Sequence, residues 1–333
     1  MRRQPPIPTQ AQAQAREPPS SYPGLVVSPL PEDGAPGERA ALVALLRERP
    51  GRRSWAEITA EVLAAGSARA VWPRLVPAVL VRPPGEADPL DVAAGQIDCW
   101  ADRGWRLLSI LDDDYPARLR GVHQAPPVLF ARGRLIAGDV AVSVVGSRDA
   151  SPRGRGIAAW VARELAARGV TVLGGLARGI DTAAHRAALE AGGRTVCVIG
   201  TGIDRAYPAE NQDLQEQIAA RGLVLSQFWP DAPPQRHNFL MRNATMSGYG
   251  LATVVVEAGE QSGSRAQARI AVEHGRPVIL TSPVVERNDW ARALVGRPGV
   301  HVAGRLQAVL DIVDYLIAEP AAVGAALRGL ASP

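Results

Sequence analysis

From Val140 onward, short β-branched apolar runs alternate with helical stretches, and that alternation leaves few folds open to the chain. The runs are Val140 to Val145, Val170 to Leu173, Thr195 to Ile199, Leu223 to Leu225, Thr253 to Val256 and Pro277 to Leu280. Arg155 to Arg168 and Thr182 to Ala191 are the clearest helices between them. Strands that are apolar at every position must be covered on both faces, and the intervening helices supply the cover. The expected fold class is therefore α/β, a parallel sheet with helices on both faces. Its crossovers should be right-handed, and ligands should sit at the carboxyl ends of its strands. A last helix, about Leu306 to Ala318, is expected to close it.

The chain before this unit reads differently. Residues 1 to 36 are rich in Pro, Gln, Ala and Ser without periodicity, which predicts a disordered tail. From Glu38 to about Val81 the spacing is helical, with Leu42, Leu45 and Leu46 on one face and Ile58, Val62 and Leu63 on another. Pro50-Gly51 should break the first helix, and Arg82-Pro83-Pro84-Gly85 reads as a linker. A helix from about Leu90 to Asp102 and an apolar stretch, Trp105 to Leu111, follow. The expected division is a tail at 1–36, a small helical domain at 37–85, the main domain at 86–320 and a short tail at 321–333.

Composition removes several chemistries. All 37 basic residues are arginine. Without lysine there is no Walker-type phosphate lysine, no Schiff base and no lysine general base, so anions must be held by guanidinium groups and backbone N–H groups. The net charge of +4 permits a local nucleic-acid patch without announcing one. Two cysteines, Cys99 and Cys197, argue against a disulfide framework or a cysteine-rich metal site. No apolar run approaches the roughly 20 residues of a membrane span, and the first residues lack the apolar block of a secretory signal. A cytoplasmic protein with no membrane partner is expected.

The loops after the strands carry the candidate chemistry. Gly146-Ser147-Arg148 ends the first strand of the unit, and Ser151-Pro152 opens a helix as N-cap and first helical residue. Free N–H groups, a hydroxyl and a guanidinium beside a helix N-terminus suit a phosphate; an ordinary strand-to-helix turn with a surface arginine fits equally well. Gly174-Gly175-Leu176-Ala177-Arg178-Gly179 lets backbone approach a ligand and adds the charge of Arg178. Asp181 is expected to cap the helix that begins at Thr182, with His185 one turn on as a packing histidine held by that aspartate. Gly200-Thr201-Gly202 continues the series more weakly. In Gln235 to Asn243, a helix would put Asn238 and Arg242 on one face with Phe239 beside them. The guanidinium would meet phosphate and the ring would stack on a base, or Phe239 would be core. Ser262-Gly263-Ser264 precedes another helix, as an anion site or a plain N-cap.

With those residues in view, the chain resembles the DprA/Smf DNA-processing proteins over about Asp112 to Pro283. The resemblance rests on Asp114-Tyr115-Pro116, Pro126 to Phe130, Gly146 to Arg148, the string from Gly175 to His185, Tyr207-Pro208-x-Glu210-Asn211, Asn238-Phe239, Arg242-Asn243 and Ser262 to Ser264. More faintly, residues 38 to 81 look like that family's small (SAM-like) N-terminal domain. The resemblance implies an extended Rossmann-like fold that binds single-stranded DNA, works as a homodimer and passes the strand to a RecA-type recombinase in transformation and recombination. It implies a binding protein, with no enzymatic turnover and no cofactor. The family's pocket residues fall here on Arg148, Arg178, Asn238, Phe239, Arg242 and Asn243. Gly146, Ser147, Gly175, Gly179 and Ser262 to Ser264 complete the expected DNA- or phosphate-binding set, with Asp181 and His185 structural beside it.

The chain departs from the pattern at Ala244, where the family has a third basic residue, and at Gln227, Arg265-Ala266-Gln267 and Pro283 to Glu286. Nothing in it resembles the winged helix that some members carry at the C-terminal end. A second reading, from related Rossmann-like folds, is a nucleotide sensor without DNA-loading activity. Its enzymatic version needs a Pro-Gly-Gly-x-Gly-Thr loop, and the corresponding strand ends instead in Glu257-Ala258-Gly259-Glu260.

Overall fold

The computed structural model describes residues 34–77 and 87–331. Residues 1–33 of the expected tail and the expected linker Arg82 to Gly85 lie outside them. Helices α1 (Gly34–Glu48), α2 (Trp55–Ala65) and α3 (Ala68–Leu75) come first, with a single 3-10 turn at Pro50–Arg52 where the Pro-Gly break was expected. Ser54 caps α2 reciprocally: its hydroxyl accepts from the Glu57 N–H, and the Glu57 carboxylate accepts from the Ser54 N–H at 2.7 Å. Then follow α4 (Pro89–Asp102), β1 (Arg106–Ser109), α5 (Ala117–Arg120) and β2 (Val128–Gly133).

The alternating unit runs β3 (Ala141–Gly146), α6 (Pro152–Ala167), β4 (Thr171–Gly174), α7 (Ile180–Glu190), β5 (Thr195–Val198), α8 (Gln212–Arg221), β6 (Leu223–Ser226), α9 (Arg236–Tyr249), β7 (Ala252–Glu257), α10 (Gly263–Glu273) and β8 (Val278–Thr281). Two short helices, α11 (Ser282–Arg287) and α12 (Asp289–Arg292), lead to β9 (Val300–Ala303) and α13 (Leu306–Ala331). The strands form one nine-stranded sheet in the order β1-β2-β6-β5-β4-β3-β7-β8-β9. The chain walks from β3 to β6 in one direction, then returns past β3 to β7, β8 and β9. The order therefore reverses at the β3–β7 pair, where a crevice opens beyond the strand ends.

Each apolar run became a strand, and the α/β expectation holds with two differences. The sheet is mixed, because β2 pairs antiparallel with β6, and β1 antiparallel with β2. An antiparallel edge needs no crossover helix, so a short apolar run such as Trp105 to Leu111 or Pro126 to Phe130 suffices to build one. The second difference is α13, which continues through the segment expected as a tail to Ala331. Apolar residues recur at helical spacing beyond Pro320, at Val323, Ala326, Leu327 and Leu330.

Side chains from β3 divide between two buried clusters. Val142 and Val144 pack with α6, α7 and α13 on one face. Ala141 and Val145 turn to the other, under α9, α10 and α11. This second cluster continues without a break into Leu42, Leu45, Leu46, Ile58 and Val62 of the N-terminal helices. The junction is aromatic. Trp100 meets Phe130 edge-on with ring centroids 4.9 Å apart and stacks on Trp229 at 6.0 Å. Trp55 meets Trp229 edge-on at 5.2 Å, and the Arg47 guanidinium lies 4.1 Å from the Trp229 ring.

Because helices and sheet share this core, Trp100→Ala should cost about 3–5 kcal/mol. Unfolding in urea should remain one transition by both circular dichroism and tryptophan fluorescence. Two separated transitions would show that the N-terminal helices fold as an independent unit.

Candidate functional site

The loops after β3, β4, β5 and β7 and the first turns of α9 and α10 enclose one groove at the carboxyl edge of the sheet. Its volume is about 930 Å³, and Gly146 to Asp149, Ala177, Asp181, Tyr207, Arg236, Phe239, Arg242, Asn243 and Ser262 to Ser264 are among its lining residues. An inner pocket of about 200 Å³ adds Gly175, Arg178 and Pro208. Of the sequence-selected residues, Gly179, Asn238 and His185 do not line either space.

Arg242 forms the floor. It is buried, and its Nη1 donates to the carbonyls of Gly175 at 2.6 Å and Val198 at 2.8 Å, joining the ends of β4 and β5. Its Nε donates to Asn243 Oδ1 at 3.2 Å. Gly175 has to be glycine, because a Cβ there would overlap the guanidinium. Arg242 is thus a structural cation beneath the groove, rather than an exposed arm reaching for phosphate. Burial pushes its pKa down, opposed by the Asp181 charge; burial pushes the Asp181 carboxyl up, opposed by Arg242.

Two structural expectations change here. Helix α7 begins at Ile180, with Gly179 as N-cap at a positive φ of 74°. Asp181 is therefore inside the first turn, and its carboxylate accepts from the Gly175 N–H at 2.8 Å, bracing the preceding loop instead of capping the helix. His185 is held by Thr195: ring Nδ1 and Thr195 Oγ1 are 2.6 Å apart, and Thr195 donates to the Val172 carbonyl, so Nδ1 carries the proton. Asp181 is already spent on the loop.

The Gly146-Ser147-Arg148 loop also departs from expectation. The Ser147 N–H is bonded to the Glu257 carbonyl at 2.7 Å, across the β3–β7 crevice. The Glu257 carboxylate accepts from the Ser151 N–H at 2.8 Å and from the Ser151 hydroxyl. Ser151 in turn caps α6 through the Gly154 N–H. A carboxylate of the chain itself thus occupies the helix N-terminus expected to hold phosphate. Gly154 marks this in sequence: a glycine in a first helical turn signals close approach, and a Cβ there would overlap the Glu257 carboxylate.

What remains open to a ligand is cationic and aromatic. Arg148 is exposed, with its guanidinium carbon 5.5 Å from the Phe239 ring centroid. Tyr207, 41% exposed, lies beside the same ring, with centroids 5.5 Å apart. Arg178 is exposed at the mouth and pairs with Glu210, Nε to Oε1 3.1 Å. Asn238 is buried behind Phe239, its Nδ2 3.5 Å from the Pro233 carbonyl. At the far wall Ser262 caps α10 by accepting from the Ser264 N–H at 3.3 Å, and the two hydroxyls are 2.5 Å apart.

Sequence reasoning passed over Tyr207, Arg236 and Asn211. Asn211 Nδ2 donates to the Leu176 carbonyl and to Thr182 Oγ1, both at 2.9 Å. It fixes Leu176 at φ 60°, which a non-glycine residue rarely adopts. The Tyr207-Pro208-x-Glu210-Asn211 string was the available signal. Among the described residues no His, Cys, Asp and Glu cluster could hold a metal ion, and no helix is long and apolar enough to cross a membrane.

Burial lowers the His185 pKa from 6.5 to about 3. The unfolded chain therefore takes up this proton first, and stability should fall as pH drops from about 6.5 toward 3, by up to about 1.4 kcal/mol per pH unit. In a His185→Gln variant that share of the slope should vanish from denaturation curves taken across this window. An unchanged slope would place the proton elsewhere.

Comparison with known proteins agrees with this architecture. Residues 106–295 match the family model described as DNA recombination-mediator protein A. The chain is 36% identical over 242 residues to the putative DNA processing protein DprA of Mycobacterium tuberculosis, across 68% of this chain and 62% of that protein. It is 43% identical over 172 residues to the DNA processing protein DprA of Streptococcus pneumoniae, across 51% of this chain and 61% of that protein. The chain thus spans less than two thirds of these relatives' length. The X-ray structure of the S. pneumoniae protein superposes with a TM-score of 0.57 at 30% identity, covering 83% of this chain and 94% of that one. DNA processing protein A of Helicobacter pylori, whose structure describes a single-stranded DNA binding mode, shares the fold with a TM-score of 0.56 at 23% identity, covering 65% and 96%. The chain belongs to the DNA recombination-mediator protein A family, the DprA/Smf proteins.

Proposed function

We propose that the groove binds single-stranded DNA and that the protein is a recombination mediator, a binder and loader rather than an enzyme. The observation that carries this reading is the pairing of an exposed guanidinium with a half-exposed ring, Arg148 over Phe239 at 5.5 Å, with Tyr207 alongside. A cation next to an aromatic platform meets a backbone phosphate and a stacked base together, which is how strands are held without sequence readout. The Glu257 carboxylate at the α6 N-terminus supports a strand over a free nucleotide. A nucleotide sensor would bring its phosphates to that helix end, and a fixed carboxylate there repels them. The single-strand binding described for the H. pylori relative supports the same reading. Homodimerisation, transfer of the strand to a RecA-type recombinase in transformation or recombination, and a cytoplasmic location rest on the family resemblance. A division at residues 37–85 and 86–320 belongs to this proposal as a matter of chain architecture, the two parts unfolding as one unit through their shared core.

Arg148 contacts phosphate and not a base edge, so Arg148→Ala should weaken binding of all sequences alike. The slope of log affinity against log salt should fall by about one. Fluorescence anisotropy with a labelled strand at several salt concentrations reads both; unchanged affinity and slope would remove Arg148 from the interface. Glu210 competes with DNA for Arg178, so Glu210→Gln should tighten binding up to about fivefold at low salt. Weaker binding by that variant would mean that the pair positions Arg178 instead of masking it.

A further inference from the structure

The groove has a second wall, away from Arg148 and Phe239, built from the first two turns of α10 and the facing side of α9. Gln267, Ser264, Asn243 and Met246 stand on it. Gln267 is only 1% exposed, and neither its Oε1 nor its Nε2 has a hydrogen-bond partner among the described residues. Burying an amide with donor and acceptor both unmade is costly, and a methionine of similar volume fills such a position without that cost. The hydroxyls nearest to it in sequence are committed to each other, Ser262 Oγ to Ser264 Oγ.

We infer that the α10 wall is a subsite for the edge of a nucleobase, with the Gln267 amide as its reading group. The inference rests on the single-stranded DNA reading and adds base preference to it. A side-chain amide offers a donor beside an acceptor in one plane, the complement of a base edge that offers an acceptor beside a donor. Rotation about the side-chain torsions of Gln267 turns the amide from the wall into the groove, where two hydrogen bonds replace two unmade ones. The N-terminal turn of α10 favours electronegative base atoms at the same place. A strand with one base on Phe239 and a phosphate at Arg148 passes this wall with a neighbouring base.

Homopolymer strands of dA, dC or dT of about 20 nucleotides test the inference in wild type and Gln267→Met, with Gln267→Leu as a second variant should the first fail to fold. Wild type should separate at least two homopolymers by about fivefold or more. The variants should bring them to within about twofold, with the salt dependence unchanged. Strand self-stacking cancels in the comparison of wild type with variant. Equal binding of all three by wild type, or a wild-type ratio kept in the variants, overturns the base subsite alone. No salt-dependent binding of any strand overturns the single-stranded DNA reading, and the subsite with it.

Discussion

The groove depends on one buried cation. Arg242 ties the carbonyls at the ends of β4 and β5, and the loops that follow those strands take their positions from it. Asp181 holds the Gly175 N–H on the other side of the same loop, so opposite charges brace the backbone from two directions. The two buried charges attract each other across the loop, and removing either would leave the other uncompensated. This arrangement makes a rigid floor. It also explains the glycine at position 175, where no side chain fits beside the guanidinium.

A second constraint decides what the floor can serve. At the β3–β7 switch point a nucleotide-binding sheet leaves its helix N-terminus bare for phosphate. Here the Glu257 side chain fills that place and its carbonyl takes the Ser147 N–H. What is left for a ligand is the pocket formed by the exposed Arg148, the Phe239 and Tyr207 rings and Arg178, above the buried Arg242. In the proposed reading a strand lies along this groove with one phosphate at Arg148 and one base on Phe239.

Much of the fold could be read from the sequence because the parallel strands β3 to β8 are nearly continuous apolar runs, broken only by small buried Ser and Thr residues. The antiparallel strands β1 and β2 were harder, since each is a short run lying before the strand–helix alternation that begins at β3. The extent of α13 was hidden by Pro320, which ordinarily marks a helix end. The site was legible as a set of loops but not as a set of bonds. Periodicity brings Arg148, Arg178 and Arg242 to one sheet edge, yet only burial separates the structural Arg242 from the exposed Arg148. Likewise, nothing local in Asp181 or His185 distinguishes a partner one turn away from a loop amide or Thr195, because those contacts join different strands.

In the proposed reading, the internal Glu257 carboxylate and the cationic, aromatic pocket of Arg148 and Phe239 together select a strand over a nucleotide. Titration of the protein with a labelled single strand of about 20 nucleotides, its duplex and a panel of mononucleotides, at roughly 50 and 200 mM salt, tests it most directly. Preference for the single strand, steep loss of affinity at the higher salt and no tight mononucleotide are expected. A tightly bound mononucleotide with no binding of the strand would contradict it.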